Sequence, residues 1–464
     1  MRLAFNSASV KQDYLAGGLI FLNVILLAIW AIKDTIALRN IVLVLGAIAS
    51  IIYIANDWRF GDLKKQLRSV HSLPLILAGL LFAWVLIHFF CFSQDPLSQF
   101  QALKSTWLRV LLGSILAWGT GLVILRRPIL INYLWFGILL GIFAVYAQYI
   151  PNALEKNALF VPDYHGYLFE GKINGVLVGT LLIAGLTGTV SDLYRKNQLT
   201  THKWVMVFWL FGVVVAMYSY VFIYDTRNGF GLAAILFTAV IGGGVVWAIK
   251  RIITKGATKE LVTVTVFIAG LVILASIFTY HQMQRNTGWL TLLEDAKIAV
   301  QIDKYPHWQK SNNGGAYPKT DTGREVVGNN YERVAWSVVG VKLIGNHPMG
   351  MGVLYKPFNR LLQIDYPGAT PYATHSGWID LTLSLGVPAL LLMWGILVSV
   401  FYLGSKSGGP FSITVPIMAA MIFLLYLVGE LNGKHAVEIL FYWFAILTAL
   451  QFPQFVQAEQ SMAH

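Results

Sequence analysis

The chain has 464 residues, of which 56% are hydrophobic and only 12% are charged. Because soluble domains carry about 25% charged residues, this composition excludes an ordinary soluble protein and is typical of one embedded in a bilayer. The formal charge of +12 does not indicate nucleic-acid binding, since the basic residues lie in short segments between apolar runs, as in a membrane protein that follows the positive-inside rule. The single cysteine, Cys91, excludes an intrachain disulfide.

Twelve apolar runs are long enough to span a membrane, for which a helix needs about 20 residues. They predict an all-α, polytopic membrane protein with three parts. Residues 1–279 would hold nine spans, residues 280–376 a polar loop domain, and residues 377–464 three more spans and a short tail. The predicted spans are 14–32, 36–56, 73–93, 107–125, 129–150, 173–190, 204–224, 229–249, 261–279, 377–403, 411–430 and 436–453.

The distribution of Lys and Arg predicts which side of the membrane each loop faces. The short loops on the same side as the two termini carry sixteen of these residues, against eight in the short loops of the other side. By the positive-inside rule, both termini are cytoplasmic and residues 280–376 lie outside. The basic, amphipathic segment 57–71 is expected to lie along the inner headgroups in contact with anionic lipids.

The polar stretch 280–376 is too long for a simple connector and is predicted to be the functional face of the protein. Helical spacing of apolar residues predicts short helices over 289–303 and 331–344, with Asn330 available as the N-cap of the second. The glycine-rich segment 311–328 between them is predicted to be mobile.

Two arginines near the predicted outer boundary are candidate anion ligands. Arg227 lies in the tight turn Asp225–Gly229 between two spans, where the alternative is a snorkelling membrane anchor. Arg333 lies in the first turn of a predicted helix, whose free N–H groups would help it to bind an anion. The alternative for Arg333 is that the adjacent Glu332 only neutralises it.

His375, just before the tenth span, is the candidate general base. A single histidine is more often structural, but a helix N-terminus disfavours the protonated ring, and neutral imidazole is the form that a base requires. Asp380 is five residues further on, about 140° round a regular helix, and so is no obvious partner for the ring.

Several common catalytic patterns are absent from the sequence. It lacks a His, Cys and carboxylate cluster at metal-ligand spacing, a P-loop, a GxSxG motif and an aspartate-rich DxD motif. The chemistry is therefore predicted to need no metal or cofactor, with His375 at its centre and arginines binding an anion.

The segments around Arg227, Arg333 and His375, together with several further short motifs, resemble the signature region of the bacterial O-antigen ligase/polymerase superfamily. The turn Arg227-Asn228-Gly229 resembles the family's arginine-containing turn, and Gly171-Lys172-Ile173-Asn174 is similar to its glycine–asparagine motif. Ser376 stands where the family often has Asn, and Ser384 where it often has an acid. The remaining matches are Glu332-Arg333 with Trp336, His347-Pro348-Met349-Gly350-Met351-Gly352, His375-Ser376-Gly377-Trp378-Ile379 and Gly386-Val387-Pro388.

The resemblance implies a GT-C-like glycosyltransferase of the bacterial inner membrane, with its site facing the periplasm. Its donor would be a glycan on undecaprenyl diphosphate, transferred with inversion and without a metal ion. Arg227 and His375 would be catalytic, His375 by taking the proton of the acceptor hydroxyl, while Arg333, Lys172 and Asn174 would bind the diphosphate or substrate. The expected activity is that of an O-antigen ligase, which transfers the glycan to lipid A–core and completes lipopolysaccharide.

Three alternatives to a ligase remain open. An O-antigen polymerase would use a second carrier-linked repeat unit as acceptor, and a protein O-oligosaccharyltransferase would use a pilin. The ligase is favoured because the chain has one dominant outer loop, whereas polymerases of the superfamily tend to have two. A transporter of the same lipid is disfavoured. Transporters usually show repeat symmetry and ionisable residues near the membrane midplane, whereas this sequence has no convincing internal repeat and nearly all its ionisable residues lie at the ends of the predicted spans.

Overall fold

The computed structural model describes residues 7–60, 63–159, 172–255, 280, 290–310, 317–429, 431 and 433–453. Within these ranges the regular elements are helical, and an isolated bridge joins Lys319 to Glu325 in the loop. The main helices are α1 Ser7–Ile29, α2 Ile36–Phe60, α3 Leu63–Gln66, α4 Leu73–Cys91, α5 Pro96–Ala102, α6 Leu108–Arg126, α7 Ile131–Glu155, α8 Lys172–Arg195, α9 Lys203–Tyr218, α10 Arg227–Lys255, α11 Leu292–Ala299, α12 Gly328–Asn346, α13 Pro357–Asp365, α14 Gly377–Lys406, α15 Thr414–Val428 and α16 Lys434–Leu450.

Nine helical segments of the described chain are long and apolar enough to cross a membrane. They coincide with nine of the predicted spans and confirm a polytopic, all-helical membrane protein. Two further predicted spans, 411–430 and 436–453, are the shorter helices α15 and α16, of 15 and 17 residues. The extended backbone of Gly429 and Gly433 shortens them, because it ends the first and precedes the second. The predicted span 261–279 lies outside the described residues.

Helix α16 lies at the centre of the bundle, where every residue from Ala436 to Leu450 is buried. A polar cluster joins it to α1 and α6: Tyr442 donates to Asn23 Oδ1 at 2.6 Å, and Asn23 donates to Thr120 at 2.6 Å. Buried polar groups between membrane helices are stable when they bond to one another in this way. The cluster therefore fixes the register of three helices.

Helix α15 is capped by another helix. Its own N-cap residue, Ile413, has no side chain able to accept a hydrogen bond. The carboxylate of Asp192, near the end of α8, instead accepts from the N–H groups of Ile413 and Thr414 at 3.0 and 2.8 Å. The free N–H groups of a helix start need such acceptors when they are buried. This contact fixes the start of α15 beside the end of α8. The other ends of the two helices, the start of α8 and the end of α15, both line a cavity.

Helix α14 is broken in its middle at Gly386, where φ is +81°. A Cβ added there would lie 2.5 Å from the carbonyl oxygen of Met349, so the position requires glycine for its conformation and for its space. Pro388, two residues later, has no N–H with which to continue the helical bonding. The break therefore leaves carbonyl groups of α14 without helical donors.

The loop supplies the missing donors. Met351 N–H donates to the Leu383 carbonyl at 3.0 Å, and Gly352 N–H donates to the Ser384 carbonyl at 2.7 Å. In return, Val387 N–H donates to the Pro348 carbonyl at 2.8 Å. The motifs His347–Gly352 and Gly386–Pro388 thus bind each other and fix the loop to the kinked helix.

The loop also has a hydrophobic cluster of its own. Trp308 lies near its centre, 2% exposed, and donates from its indole N–H to the Ile302 carbonyl at 3.0 Å. Leu383 of α14 is part of the cluster, so the loop is packed directly on the membrane bundle. The buried members are Ile298, Ala299, Ile302, Trp308, Val326, Tyr331, Ala335, Trp336, Val339, Leu343, Met351, Val353, Phe358, Leu361, Leu362, Ala369 and Leu383.

The two predicted loop helices are present with different bounds. The first, predicted over 289–303, is the eight-residue α11, Leu292–Ala299; residue 289 lies outside the described chain. The second, predicted over 331–344, is the longer α12, Gly328–Asn346, which has Val327 at the N-cap. Asn330 is therefore inside the first turn, not its cap, because its side chain bonds to Asp295 instead of the helix backbone. The segment 311–328 was predicted to be mobile, and its first part, 311–316, lies outside the described residues.

Candidate active site

Four candidate residues from distant parts of the sequence line one cavity. Lys172 begins α8, Arg227 begins α10, Arg333 lies in the second turn of α12, and His375 comes two residues before α14. The C-terminal end of α15 completes the wall with Leu425, Val428, Gly429 and, beyond the helix, Leu431. The cavity therefore lies where the ends of four helices of the bundle, α8, α10, α14 and α15, meet the loop domain.

The described lining of the cavity is positively charged. It contains the three cations Lys172, Arg227 and Arg333, and one acidic residue, Asp225. Asp225 is exposed and takes a left-handed φ of +44° in the turn between α9 and α10. Three cations against one carboxylate, at a concave site, attract an anion. Arginines in particular match the two oxygens that a phosphate presents.

Two asparagines hold the arginines. Arg333 Nη1 donates to Asn228 Oδ1 at 3.4 Å, and Arg227 Nη1 donates to Asn330 Oδ1 at 3.4 Å. Asn228 in turn donates from its amide nitrogen to the Val428 carbonyl at 2.9 Å, at the C-terminal end of α15. The start of α10 and the loop helix α12 are thereby cross-linked at the cavity. Arg227 is thus tied to the loop domain as well as to its own helix.

Glu332 lies in a different environment from Arg333. It is 9% exposed and accepts a hydrogen bond from the Tyr317 hydroxyl at 2.9 Å. Burial, together with this bond to a carboxylate, raises the pKa of Tyr317 to about 12. Glu332 thus fixes the loop segment around Tyr317 against α12, while Arg333 faces the cavity.

The ring of His375 is half-buried and lies against Trp336. The two ring centroids are 5.3 Å apart, with an angle of 21° between the planes. Trp336 is fixed by its indole N–H, which donates to the Trp308 carbonyl at 2.8 Å. His375 has a left-handed φ of +61°, and Ser376 is the N-cap of α14, so the ring is presented just before the helix and not in its first turn. Uncommon backbone conformations of this kind cluster at functional sites.

Asp380 holds the turn that presents His375. Its buried carboxylate accepts from the N–H of Thr374 at 3.1 Å and from the Thr374 hydroxyl at 2.9 Å. The same hydroxyl accepts from the Ser376 N–H at 3.2 Å. On the other side, Ser337 of α12 donates to the Thr374 carbonyl at 3.3 Å. Asp380 therefore acts on His375 through the backbone on either side of it.

A wider groove adjoins the cavity. The cavity measures about 50 Å³ and the groove about 520 Å³, and they share Asn228, Arg333, His375 and Val428 as lining residues. One wall of the groove comes from α12 and the other from the end of α15. Its remaining lining is mostly aliphatic: Val334, Ser337, Val338, Val341 and Leu427. The charged cavity thus adjoins a groove with mostly apolar walls, and the volume of this groove is in the range usual for ligand pockets.

One predicted ligand, Asn174, and one motif, His347–Gly352, are not part of the cavity lining. Asn174, predicted to bind substrate, is partly buried in the first turn of α8 but is not among the residues that line the cavity. His347 bonds through Nε2 to Asp365 Oδ1 at 3.0 Å, and its motif holds the loop on α14. Among the described residues, no group of three or more His, Cys, Asp or Glu side chains is arranged to hold a metal ion.

The sequence did not indicate the contacts of three residues at the site: Thr374, which bonds to Asp380; Asp295, which bonds to Asn330; and Asn330 itself, which was predicted only as an N-cap. Each of these contacts depends on how the chain is folded, and no pattern of neighbouring residues in the sequence indicates it. Comparison of the chain with protein-family models and with curated proteins finds no match.

Proposed function

We propose that the protein is an O-antigen ligase of the bacterial inner membrane. It transfers a glycan from undecaprenyl diphosphate to lipid A–core on the periplasmic side, with inversion and without a metal ion. The observation that carries the proposal is the convergence of Lys172, Arg227, Arg333 and His375 on one cavity that opens into an apolar groove.

The cations are assigned to the diphosphate of the donor. In glycosyl transfer the bond between the sugar and the phosphate breaks, and negative charge develops on the departing diphosphate. Fixed positive charges at that point stabilise the transition state more than the ground state. Lys172, Arg227 and Arg333 lie on different helix ends and so approach the cavity from different directions, as a clamp on two phosphates requires.

His375 is assigned to the acceptor. As general base it takes the proton of the acceptor hydroxyl while that oxygen attacks the anomeric carbon from the side opposite the diphosphate, which inverts that carbon. Its ring lines both the cavity and the groove, so it borders the place where the two substrates meet. Trp336 and Asp380 keep the ring and its backbone in position, which a base needs to be effective.

The groove supports a substrate that is polar at one end and apolar over the rest. A polyprenyl chain along Val334, Val338 and Val341 would leave its diphosphate beside Arg333, which lines both spaces. The same arrangement serves a polymerase or a protein O-oligosaccharyltransferase, because the three activities share the donor and differ in the acceptor. A transporter would move the lipid without breaking a bond.

The test is a transfer assay with purified protein, undecaprenyl-diphosphate-linked glycan, lipid A–core and EDTA. We expect lipopolysaccharide to form, and EDTA to leave its rate unchanged. Parallel reactions contain a carrier-linked repeat unit or a pilin in place of lipid A–core. Product only with the repeat unit identifies a polymerase, and product only with the pilin identifies a protein glycosyltransferase. Movement of the lipid across proteoliposomes without glycan transfer would contradict the enzymatic assignment.

A further inference from the structure

A chain of hydrogen bonds leads from the loop domain to Arg227 in the cavity. Asp295 of α11 is fully buried, and its carboxylate accepts from Arg324 at 2.8 Å, from Thr291 at 2.8 Å and from Asn330 Nδ2 at 2.9 Å. Asn330 is 4% exposed, and its Oδ1 accepts from Arg227 Nη1. A single buried amide therefore connects the guanidinium in the cavity with a carboxylate on another segment.

The chemistry of the two ends decides how that amide is oriented. An ionised carboxylate can only accept hydrogen bonds, and a guanidinium can only donate them. Asn330 must therefore turn its NH₂ group to Asp295 and its oxygen to Arg227. Burial alone would raise the pKa of Asp295, but the hydrogen bonds from Arg324, Asn330 and Thr291 outweigh it and hold that pKa below its ordinary value. The carboxylate is thus ionised at neutral pH.

We propose that Asp295 is a positioning residue for Arg227. By fixing the amide of Asn330 it aims the Arg227 guanidinium at the anion in the cavity, which is the donor diphosphate if the proposed function holds. The bond between Arg227 and Asn330, at 3.4 Å, is at the long end for hydrogen bonds. Contacts of this kind often tighten only when substrate is bound.

The neighbouring Glu294 provides a matched control. It also binds Arg324, at 3.1 Å, but its side chain is 56% exposed and it takes no part in the bonds to Asn330. Loss of charge at Glu294 weakens the same arginine contact without reaching the amide. A difference between Asp295→Asn and Glu294→Gln therefore reports on the link to Arg227.

The first measurement is transfer by the variants. In Asp295→Asn the new amide can donate as well as accept, so Asn330 can rotate and turn its NH₂ group toward Arg227. We expect kcat/KM for the donor to fall about tenfold, the size of a typical coupling between residues of one hydrogen-bond network, and Glu294→Gln to change little. In an Arg227→Ala background, Asp295→Asn should cost nothing further. An equal loss in both backgrounds would show a merely structural role and overturn the inference.

The second measurement needs no substrate. Phenylglyoxal modifies arginine, and mass spectrometry of the peptide that contains Arg227 gives the rate at that residue. We expect the rate to rise several-fold in Asp295→Asn and in Asn330→Ala, and to stay at the wild-type value in Glu294→Gln. The Asn330→Ala protein gives the answer if Asp295→Asn fails to fold. An unchanged rate in the variants overturns the positioning role. If the wild-type protein shows no glycan transfer but the rate still rises in the variants, the positioning role is supported and only the proposed function is overturned.

Discussion

Side chains at the cavity divide into those placed to meet a ligand and those that hold them. Arg227, Arg333 and His375 belong to the first group, because they line the cavity with a charged or basic group. Asn228, which accepts from Arg333, and Asp380, which bonds to Thr374 next to His375, belong to the second. The first group should govern binding and turnover. The second should change the same quantities less, and the stability of the protein more.

Replacement of the arginines tests the assignment of the diphosphate. Arg227→Ala and Arg333→Ala should each lower kcat/KM for the donor by about 10²-fold, because a charge that stabilises the departing group is lost. Lysine should restore only part of the activity, since a point charge lacks the two-pronged geometry of guanidinium. Arg195→Ala, at the other end of α8 and 43% exposed, is the control. Full transfer by Arg227→Ala would mean that this arginine is only a membrane anchor.

Thr374 tests whether the turn presents His375 correctly. Thr374→Val keeps the shape but removes the hydroxyl that bonds Asp380, so a buried carboxylate loses a donor, at a cost of about 1–3 kcal/mol. Thr374→Ser keeps the hydroxyl and should behave as wild type. We expect lower turnover and a lower melting temperature for the valine variant, measured in detergent. Equal turnover in the two variants would exclude a role for this bond in catalysis.

At the level of elements, the break in α14 determines how the loop is attached. The N–H groups of Met351 and Gly352 bond to the Leu383 and Ser384 carbonyls, which the break leaves without helical donors. These bonds fix the loop domain over the helix ends that line the cavity. A membrane helix tolerates such a break only where other groups satisfy its backbone. The kink and the motif that covers it therefore form one structural unit.

Gly386→Ala tests that unit. At Gly386 the φ of +81° disfavours any other residue, and an added Cβ would lie 2.5 Å from the Met349 carbonyl oxygen. We therefore expect alanine to lower the free energy of unfolding by about 1–3 kcal/mol or more. The melting temperature should fall, and proteolysis within the loop should become faster. Gly79→Ala, in α4, is the control, because nothing lies within 4 Å of its added Cβ. Equal stability of the two variants would contradict the docking role of the kink.

The whole molecule has two ends, and the cavity lies at one of them. Helix α8 has 24 residues, from Lys172 in the cavity to Arg195, and is therefore about 36 Å long. The loop domain and the turn after α8 should therefore be reached from opposite sides of the membrane. The charge distribution of the sequence predicts that the loop side is the periplasm.

Labelling with an impermeant maleimide tests this topology. In a Cys91→Ser background, a cysteine at the exposed Asp321 of the loop should react in intact spheroplasts. A cysteine at the exposed Thr200, after α8, should react only when the membrane is opened. Labelling of both positions in intact spheroplasts would contradict the orientation and, with it, a periplasmic site.

The sequence predicts the spans well because each is a local run of apolar residues. It also singles out Arg227, Arg333 and His375, since each lies at or just before the start of a predicted helix. The partners of these residues could not be predicted in the same way. Asp380 bonds to Thr374 across the start of a helix, and Asp295 reaches Arg227 through Asn330, so both depend on tertiary packing. Asn174 was predicted from a motif alone, and the structure places it outside the cavity lining.

The role of His375 is tested most directly by measuring donor binding and glycan transfer side by side in the His375→Ala protein. Loss of a general base typically slows a reaction by about 10²–10⁴-fold. We expect transfer to fall by that amount, with donor affinity close to wild type, because the diphosphate is assigned to Lys172, Arg227 and Arg333. Glutamine should not restore transfer, since an amide cannot accept the proton at neutral pH. If donor affinity falls as far as transfer does, His375 is a ligand of the diphosphate and not the base.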